Sequence, residues 1–242
     1  MIMEIPKQTK KRFVVFLDIM GFKERVARNT QESLYEELTA FNRDITTIIN
    51  RTKQPQAEHS PKPDDSSDVT LRTGEDEKDE ILLAQFSDSI VIFSNGNTEK
   101  NLITISNVAK EIMIAAINRE KPIPLKGALA EGYITCDKGK QLFFGQALID
   151  AYLLEENIQY YGIVVHHSAE QSVKDCKVDI FKDHLIPLKS GKIKHYELVW
   201  YNDHENVKVG LERIRLNVSD SPRKYVDNTN SIIDDFMGKK DK

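Results

Sequence analysis

Cysteine and long apolar runs are scarce in this chain of 242 residues. The only two cysteines, Cys136 and Cys176, stand far apart, which predicts neither a disulfide framework nor a zinc site and favours buried or idle thiols. No apolar run reaches the roughly 18 residues that a membrane span needs. The basic residues of segment 7–12 have no apolar core behind them, so no signal peptide is predicted. We therefore expect a cytoplasmic protein that makes no contact with a membrane.

An excess of positive charge is also missing. The chain has 34 Lys and Arg residues against 38 Asp and Glu residues, for a formal net charge of −4. Proteins that coat nucleic acid need surplus basic groups to neutralise phosphates, so no nucleic-acid partner is expected. The hydrophobic content of 40% and charged content of 30% are typical of a soluble globular protein with a sizeable core.

The order of the predicted elements indicates the fold class. Residues 13–19 read as a buried strand, and residues 22–50 as two helical pieces that break near Asn29 and Thr30. Residues 51–79, with three prolines and few large apolar side chains, predict a flexible insertion. After it come two apolar runs joined as a hairpin (81–86 and 90–93), then a helix (98–119), two strands (125–135 and up to 144), a helix (145–157) and strands at 162–165 and 192–201.

This β-α-β-β-α-β-β-α-β order predicts an α+β or α/β sandwich with a mixed, largely antiparallel sheet. Helices expected over 207–218 and 223–236 form a C-terminal extension spanning 202–242. The expected organisation is thus a tail (1–10), one domain (11–201) that contains the 51–79 insertion, and the helical extension.

Two aspartates interrupt runs that are otherwise apolar and strand-like. Asp18 lies within segment 16–22, and Asp88 lies at the tip of the predicted hairpin. Because an ionised carboxylate is costly to bury alone, the pattern favours two carboxylates that meet around divalent cations, the chemistry of phosphoryl and nucleotidyl transfer. The alternative is that each aspartate only caps a helix or forms a turn. Gly21 would let the backbone amides of 19–22 approach a phosphate at the start of a helix.

These motifs carry a resemblance to a known family. The pattern Phe-x-Asp-Ile-x-Gly-Phe, a hairpin with aspartate at its tip, a glycine-containing strand and a helix that begins Gly-x-x-Leu resemble the catalytic domain of class III nucleotidyl cyclases over residues 10–200. The resemblance implies a ferredoxin-like or palm sandwich that binds two divalent ions, Mn²⁺ or Mg²⁺, per active site. It implies metal binding by Asp18, the Ile19 backbone and Asp88, and substrate binding by Leu17, Ile19, Met20, Gly21 and Phe22.

The chain also departs from that family. Ala84 stands where adenylate cyclases have a lysine that selects the purine, and Leu142 or Phe143 replaces its polar partner. The Asn and Arg that steady the family's transition state align with the apolar Ile149 and Leu153. An Arg or Lys of a partner subunit could replace that arginine, with Arg119 and Lys121 as the candidates.

Loss of the purine determinants with both aspartates kept resembles the bacterial pyrimidine cyclases of Pycsar antiphage systems. The segments that match are 126–129 (Lys-Gly-Ala-Leu) and 145–155 (Gly-Gln-Ala-Leu-Ile-Asp-Ala-Tyr-Leu-Leu-Glu). This resemblance implies a uridylate or cytidylate cyclase that converts UTP or CTP to a 3′,5′-cyclic pyrimidine monophosphate. It further implies a manganese-dependent homodimer with sites at its interface and a product that acts on a separate effector protein in antiviral defence.

Several further residues carry two interpretations each. Lys126 is a candidate contact for the base or a phosphate, or else a solvated lysine after a turn. Phe86 walls the base or belongs to the core. Lys189, Lys192 and Lys194 reach the triphosphate or form a solvated hairpin. His166 and His167 lack a third metal ligand, and Tyr152 and Leu154 are expected in the helix core.

Two other functions compete with the enzyme. The missing Asn and Arg favour a catalytically inactive relative that binds nucleotide or dimerises. If the aspartates only cap helices, the chain is a structural or adaptor protein.

Overall fold

The computed structural model describes residues 8–52, 81–219 and 221–240, and it places eight strands in one sheet. The strands are β1 (Thr9–Ile19), β2 (Leu82–Phe86), β3 (Ser89–Phe93), β4 (Leu125–Asp137), β5 (Leu142–Phe144), β6 (Ile163–Val165), β7 (Phe181–Leu188) and β8 (Gly191–Leu198). The helices are α1 (Phe22–Arg28), α2 (Gln31–Arg51), α3 (Glu99–Ile117), α4 (Gln146–Glu155), α5 (Glu170–Asp175), α6 (His204–Asn217) and α7 (Ser221–Lys240), with a 3-10 turn at His167–Ala169.

Strand β1 lies inside the sheet. The order across the sheet is β2-β3-β1-β4-β6-β8-β7, and β5 pairs with the outer end of β4. Only the β4–β6 pairing is parallel among these strands; the others are antiparallel. A strand with neighbours on both sides is held by two ladders of hydrogen bonds, so residues at its end are well fixed.

Helices cover both faces of the sheet. Helix α4 packs on β4 and β1, where the Phe16 ring meets the Tyr152 ring edge-on at 5.5 Å, and α3 packs on β1 and β3 with α2 beside it. The β1–β4 contact is tight at Gly127: a Cβ atom there would lie 2.4 Å from the backbone oxygen of Phe16, so only glycine fits. Helices α6 and α7 add Leu211, Val226 and other side chains to the same core.

Most predicted elements are confirmed, with shifts at their ends. The α1–α2 break at Asn29 and Thr30 has a local cause, because the Thr30 hydroxyl accepts the backbone N–H of Ser33 and caps α2. Strand β1 starts at Thr9, inside the predicted tail, and the final helices start earlier than expected. Strand β7 and helix α5 had no counterpart in the prediction, and the strand predicted over 192–201 ends at Leu198.

Some predictions lie outside the described residues. One of these is the insertion predicted over 51–79. Helix α2 continues to Arg51, and residues 53–79 of the predicted insertion are outside the described part of the chain. The division into tail, domain and extension stays a prediction. Cys136 is buried, Cys176 is partly buried, and both are free thiols. Among the described helices, none combines the length and apolar character of a membrane span.

Candidate active site

Asp18 stands at the end of β1, between two neighbouring strands. It is opposite Ser89 of β3 and opposite Lys126 of β4. The next two backbone N–H groups are also bound: that of Ile19 donates to the Asp88 carbonyl at 3.0 Å, and that of Met20 donates to the Pro124 carbonyl at 2.9 Å. These bonds tie the end of β1 to both neighbours, so Asp18 has a rigid backbone setting.

Asp88 lies in the tight turn between β2 and β3, as predicted. Phe86 pairs with Ser89, which leaves only Ser87 and Asp88 in the turn. Ser87 has a φ of 54°, in the left-handed region that non-glycine residues seldom adopt. Because Asp88 also accepts the Ile19 N–H through its carbonyl oxygen, the tip of the hairpin is bound to the end of β1.

The two carboxylates influence each other electrostatically. The pKa of Asp18 is raised from 3.8 to about 6, first by burial and then by the negative charge of Asp88, while the Lys126 ammonium opposes the shift. Neighbouring like charges in a partly desolvated position are what a divalent cation relieves, and carboxylate oxygens are ligands that Mg²⁺ and Mn²⁺ prefer. The residues present therefore fit a divalent ion held by Asp18 and Asp88.

The described part of the chain contains no cluster of three or more His, Cys, Asp or Glu side chains placed to hold a metal. Two carboxylates alone leave most of an ion's coordination positions to backbone oxygens, water and substrate. This incomplete set suits ions that arrive with a phosphate ligand, because Mg²⁺ is commonly held by one or two carboxylates plus substrate phosphates.

Lys126 forms a buried ion pair next to Asp18. Only 6% of Lys126 is exposed, its Nζ lies 2.8 Å from Glu155 Oε1, and it donates to the Glu155 carbonyl at 3.0 Å. Burial raises the pKa of Glu155 to about 7, although the Lys126 ammonium lowers it. The interpretation of Lys126 as a solvated lysine is wrong, since the position of this cation is fixed beside the carboxylates.

Glu155 is a site residue that sequence reasoning missed. The inner face of α4 carries Ala147, Ala151 and Glu155, which are four residues apart and all buried. Residues at this spacing share one side of a helix, so two small residues and a carboxylate face β4 together. The signal available in the sequence was the four-residue spacing of Glu155 from two alanines, which places it on the same helix face.

The other predicted substrate-binding residues divide between backbone and side chain. Leu17 and Ile19 bury their side chains completely or nearly so in the core, so only their backbone groups can face a ligand. Gly21 takes a left-handed conformation (φ 72°, ψ 22°) immediately before α1, and Met20 and Phe22 are partly buried. The turn 20–22 therefore joins Asp18 directly to the first helix.

Phe86 is 84% exposed, so its interpretation as a core residue is wrong. It projects from the hairpin one residue before the Ser87–Asp88 turn. Nothing in the described chain covers the ring, and its role as a wall for the base stays a prediction.

The outer face of α4 is apolar. The residues that align with the missing Asn and Arg, Ile149 and Leu153, are each 50% exposed, and Tyr152 between them is 42% exposed. The expectation that Tyr152 belongs to the helix core is wrong, whereas Leu154 does pack partly buried against the core. On β5, Leu142 and Phe144 are also exposed, at 49% and 57%. We call the three exposed residues of α4, Ile149, Tyr152 and Leu153, the α4 patch.

The remaining predicted cations are exposed or have other partners. Lys189, Lys192 and Lys194 are exposed at the β7–β8 hairpin, at the far edge of the sheet, which confirms the solvated-hairpin interpretation. Arg119 is ion-paired with Asp44 of α2, and Lys121 is exposed. His166 bonds to Ser168 through its Nδ1.

The raised pKa of Asp18 predicts a stability effect in metal-free protein. Because the unfolded chain releases this proton near pH 3.8 and the folded chain near pH 6, ionisation of Asp18 lowers stability as the pH rises through that window. Asp18→Asn should therefore raise the Tm above pH 6 in the presence of a chelator, with a smaller gain at pH 4.5. Thermal melts of wild-type protein and Asp18→Asn at pH 4.5 and pH 7.5 check this, with the exposed Asp235→Asn as control. Equal melting temperatures of wild-type protein and Asp18→Asn at pH 7.5 would contradict it.

The buried ion pair predicts a second effect. Lys126→Met leaves Glu155 buried without its cation and should lower the free energy of unfolding by about 3–5 kcal/mol at pH 8. The double variant Lys126→Met with Glu155→Leu should recover most of that loss because Glu155 is no longer left as an unpaired buried charge. Urea unfolding measures both. As the control, Lys182→Met removes the more exposed Lys182–Asp179 pair and should change the free energy of unfolding by less than about 1 kcal/mol. A similar loss in Lys126→Met and in Lys182→Met would rule out a special role for burial.

Comparison with known proteins bears on the fold. No protein-family model matches the chain, and no curated protein matches it by sequence. Among solved structures, it is similar to the catalytic core of a rhodopsin-guanylyl cyclase with converted specificity bound to ATPαS (TM-score 0.57, 14% identity, 78% of this chain and 95% of that one). It is also similar to the dimeric guanylyl cyclase domain of the RhoGC fusion protein from the aquatic fungus Blastocladiella emersonii (0.56, 13%, 78% and 94%).

A third similar structure is an adenylate/guanylate cyclase/hydrolase from Silicibacter pomeroyi (TM-score 0.51, 18% identity, 79% of this chain and 97% of that one). These neighbours are adenylyl and guanylyl cyclase catalytic domains, and their sequence identities are low enough that the likeness concerns the fold. The chain has the class III nucleotidyl cyclase-like fold, as the motifs at Asp18 and Asp88 predicted.

Proposed function

We propose that the protein is a nucleotidyl cyclase that converts UTP or CTP to the 3′,5′-cyclic monophosphate and pyrophosphate. The observation that carries this proposal is the placement of Asp18 and Asp88, held together at the end of a central strand within a cyclase-like fold. Two neighbouring carboxylates whose charges repel each other suit divalent ions that arrive with a triphosphate.

The reaction forms one bond and breaks another. The ribose 3′-oxygen attacks the α-phosphorus in line, its proton passes to water, and the bond from the α-phosphorus to the bridging oxygen breaks as pyrophosphate leaves. Two divalent ions, Mn²⁺ or Mg²⁺, when bound supply Lewis acidity and neutralise developing negative charge.

Each site residue then has a role. Asp18, Asp88 and the Ile19 backbone would hold the ions, and the backbone of turn 20–22 would bind phosphate oxygens. Lys126 adds a fixed positive charge on the adjoining strand, where it would contact a phosphate or a pyrimidine carbonyl. Such preorganised charge stabilises a transition state with little reorganisation.

The choice of a pyrimidine rests on sequence. Ala84 on β2 offers no hydrogen bond to a purine, and segments 126–129 and 145–155 resemble the pyrimidine cyclases. With that resemblance goes a role in antiphage defence, in which the cyclic product acts on a separate effector in the cytoplasm. A catalytically inactive nucleotide-binding relative is the second candidate, favoured by the apolar, exposed Ile149 and Leu153.

The α4 patch supports a homodimer. Its three large apolar side chains are between 42% and 50% exposed on one ten-residue helix. Soluble monomers seldom leave such a surface uncovered, and a symmetric dimer would bury it against its own copy. The similar domain from Blastocladiella emersonii is described as a non-canonical dimer.

One assay tests the activity. The intact protein is incubated with Mn²⁺ and each of the four ribonucleoside triphosphates, and products are identified by mass. We expect a cyclic pyrimidine monophosphate, and a rate lowered on the order of a hundredfold or more in Asp18→Asn and in Asp88→Asn, because each removes a charged oxygen ligand. Asp235→Asn is the exposed control. A cyclic purine product would overturn the pyrimidine assignment, and nucleotide binding without pyrophosphate release would favour the inactive relative.

Dimerisation has a separate test. The double variant Ile149→Glu, Leu153→Glu places two charges in the α4 patch and should convert a dimer to a monomer in sedimentation velocity, because buried unpaired charge is costly. Leu216→Glu, at an exposed position of α6 (75% exposed), is the matched control and should leave the dimer intact. A monomeric wild-type protein at micromolar concentration would contradict the proposal.

A further inference from the structure

Helix α7 is docked on the segment that connects α4 to β6. The Asn228 side chain donates to the Gln159 carbonyl at 2.6 Å, and the backbone N–H of Tyr161 donates to the Thr229 hydroxyl at 2.9 Å. Thr229 is 1% exposed, so this N–H depends on α7 for its acceptor. The docking of α7 is therefore specific and fixes the helix in rotation and in register.

This docking places Tyr225 on Tyr161. Tyr225 lies one helical turn before Thr229, and its ring stacks on the Tyr161 ring with centroids 5.8 Å apart and planes at 26°. Tyr161 precedes Gly162, whose carbonyl accepts the Gly127 N–H at 2.8 Å. The backbone next to Tyr161 is thus bonded to the residue that follows Lys126, at the same end of the sheet as Asp18.

The Tyr225 hydroxyl lies in the electrostatic field of the candidate active site. Its pKa is raised from the ordinary value of 10, first by burial and then by the negative charges of Glu155 and Asp18. No hydrogen bond joins this hydroxyl to another of the residues that the structure describes. A half-buried donor beside a site for phosphate and metal therefore has its hydrogen available for a ligand.

We propose that α7 supplies Tyr225 to the nucleotide site, where its hydroxyl donates a hydrogen bond to an oxygen of the bound nucleoside triphosphate. This inference rests on the proposed function, since it takes the Asp18–Asp88 region as a nucleotide site. The stacked Tyr161 ring holds the phenol in place, and the Thr229 and Asn228 bonds position α7. The C-terminal extension is then part of the active site and not an appendage.

Binding of a non-cyclising substrate tests the proposal without relying on turnover. Each of the four 3′-deoxyribonucleoside triphosphates lacks the attacking hydroxyl and is titrated with Mn²⁺ into the full-length protein by calorimetry. Tyr225→Phe keeps the stacked ring and removes only the donor, so we expect a Kd raised about tenfold, as for one hydrogen bond to a charged acceptor, with an unchanged Tm. Tyr35→Phe, on the exposed surface of α2, is the matched control.

Thr229 offers a second variant. Thr229→Val removes the acceptor of the Tyr161 N–H and should weaken nucleotide binding together with a lower Tm, whereas Thr229→Ser keeps the hydroxyl and should retain both. A Kd for Tyr225→Phe equal to that of wild-type protein and of Tyr35→Phe would overturn the inference. Wild-type protein that binds the deoxynucleotide but forms no cyclic product from any triphosphate would overturn the proposed catalysis alone, and failure to bind any nucleotide would overturn both.

Discussion

The repulsion between Asp18 and Asp88 is the constraint around which this end of the molecule is organised. Each carboxylate belongs to a residue whose backbone is held by hydrogen bonds. Asp18 lies between β3 and β4, and Asp88 lies in a two-residue turn, where its carbonyl accepts the backbone N–H of Ile19. Backbone bonds hold the two acidic residues together against their mutual repulsion, and burial, followed by the charge of Asp88, raises the pKa of Asp18 to about 6. Such a site is strained in electrostatic terms until positive charge arrives.

Lys126 and Glu155 make this arrangement tolerable in the folded chain. The ammonium lowers the pKa of Asp18 and is itself paired with a buried carboxylate at the end of α4. A buried pair of this kind adds little net stability, since desolvation of both ions offsets their attraction. Its effect is positional: it fixes a cation at one place beside the carboxylates, and it links the centre of the sheet to α4.

Much of this could be read from the sequence, and the reasons differ between residues. Asp18 and Asp88 were identifiable because a carboxylate in an apolar strand has few structural explanations, and the hairpin followed from two apolar runs separated by a polar tip. Strand β7 was missed because its residues 181–188 mix charged and apolar types without a clean alternation. Glu155 and Tyr225 were missed because their roles depend on how α4 and α7 pack, which periodicity does not specify. For Phe86, the core interpretation failed because an aromatic residue in a strand is usually buried, while this strand end is not covered.

Helix α4 is only ten residues long, and its two faces have different surroundings. Ala147 and Ala151 seat its inner side on β4 and carry Glu155 to Lys126, while Ile149 and Leu153 point outward. Because the helix is so short, a contact on its outer side that shifts the helix would also displace Glu155 at its end. If the proposed dimer forms over Ile149 and Leu153, contact between the subunits would also bear on the Lys126–Glu155 ion pair beside Asp18.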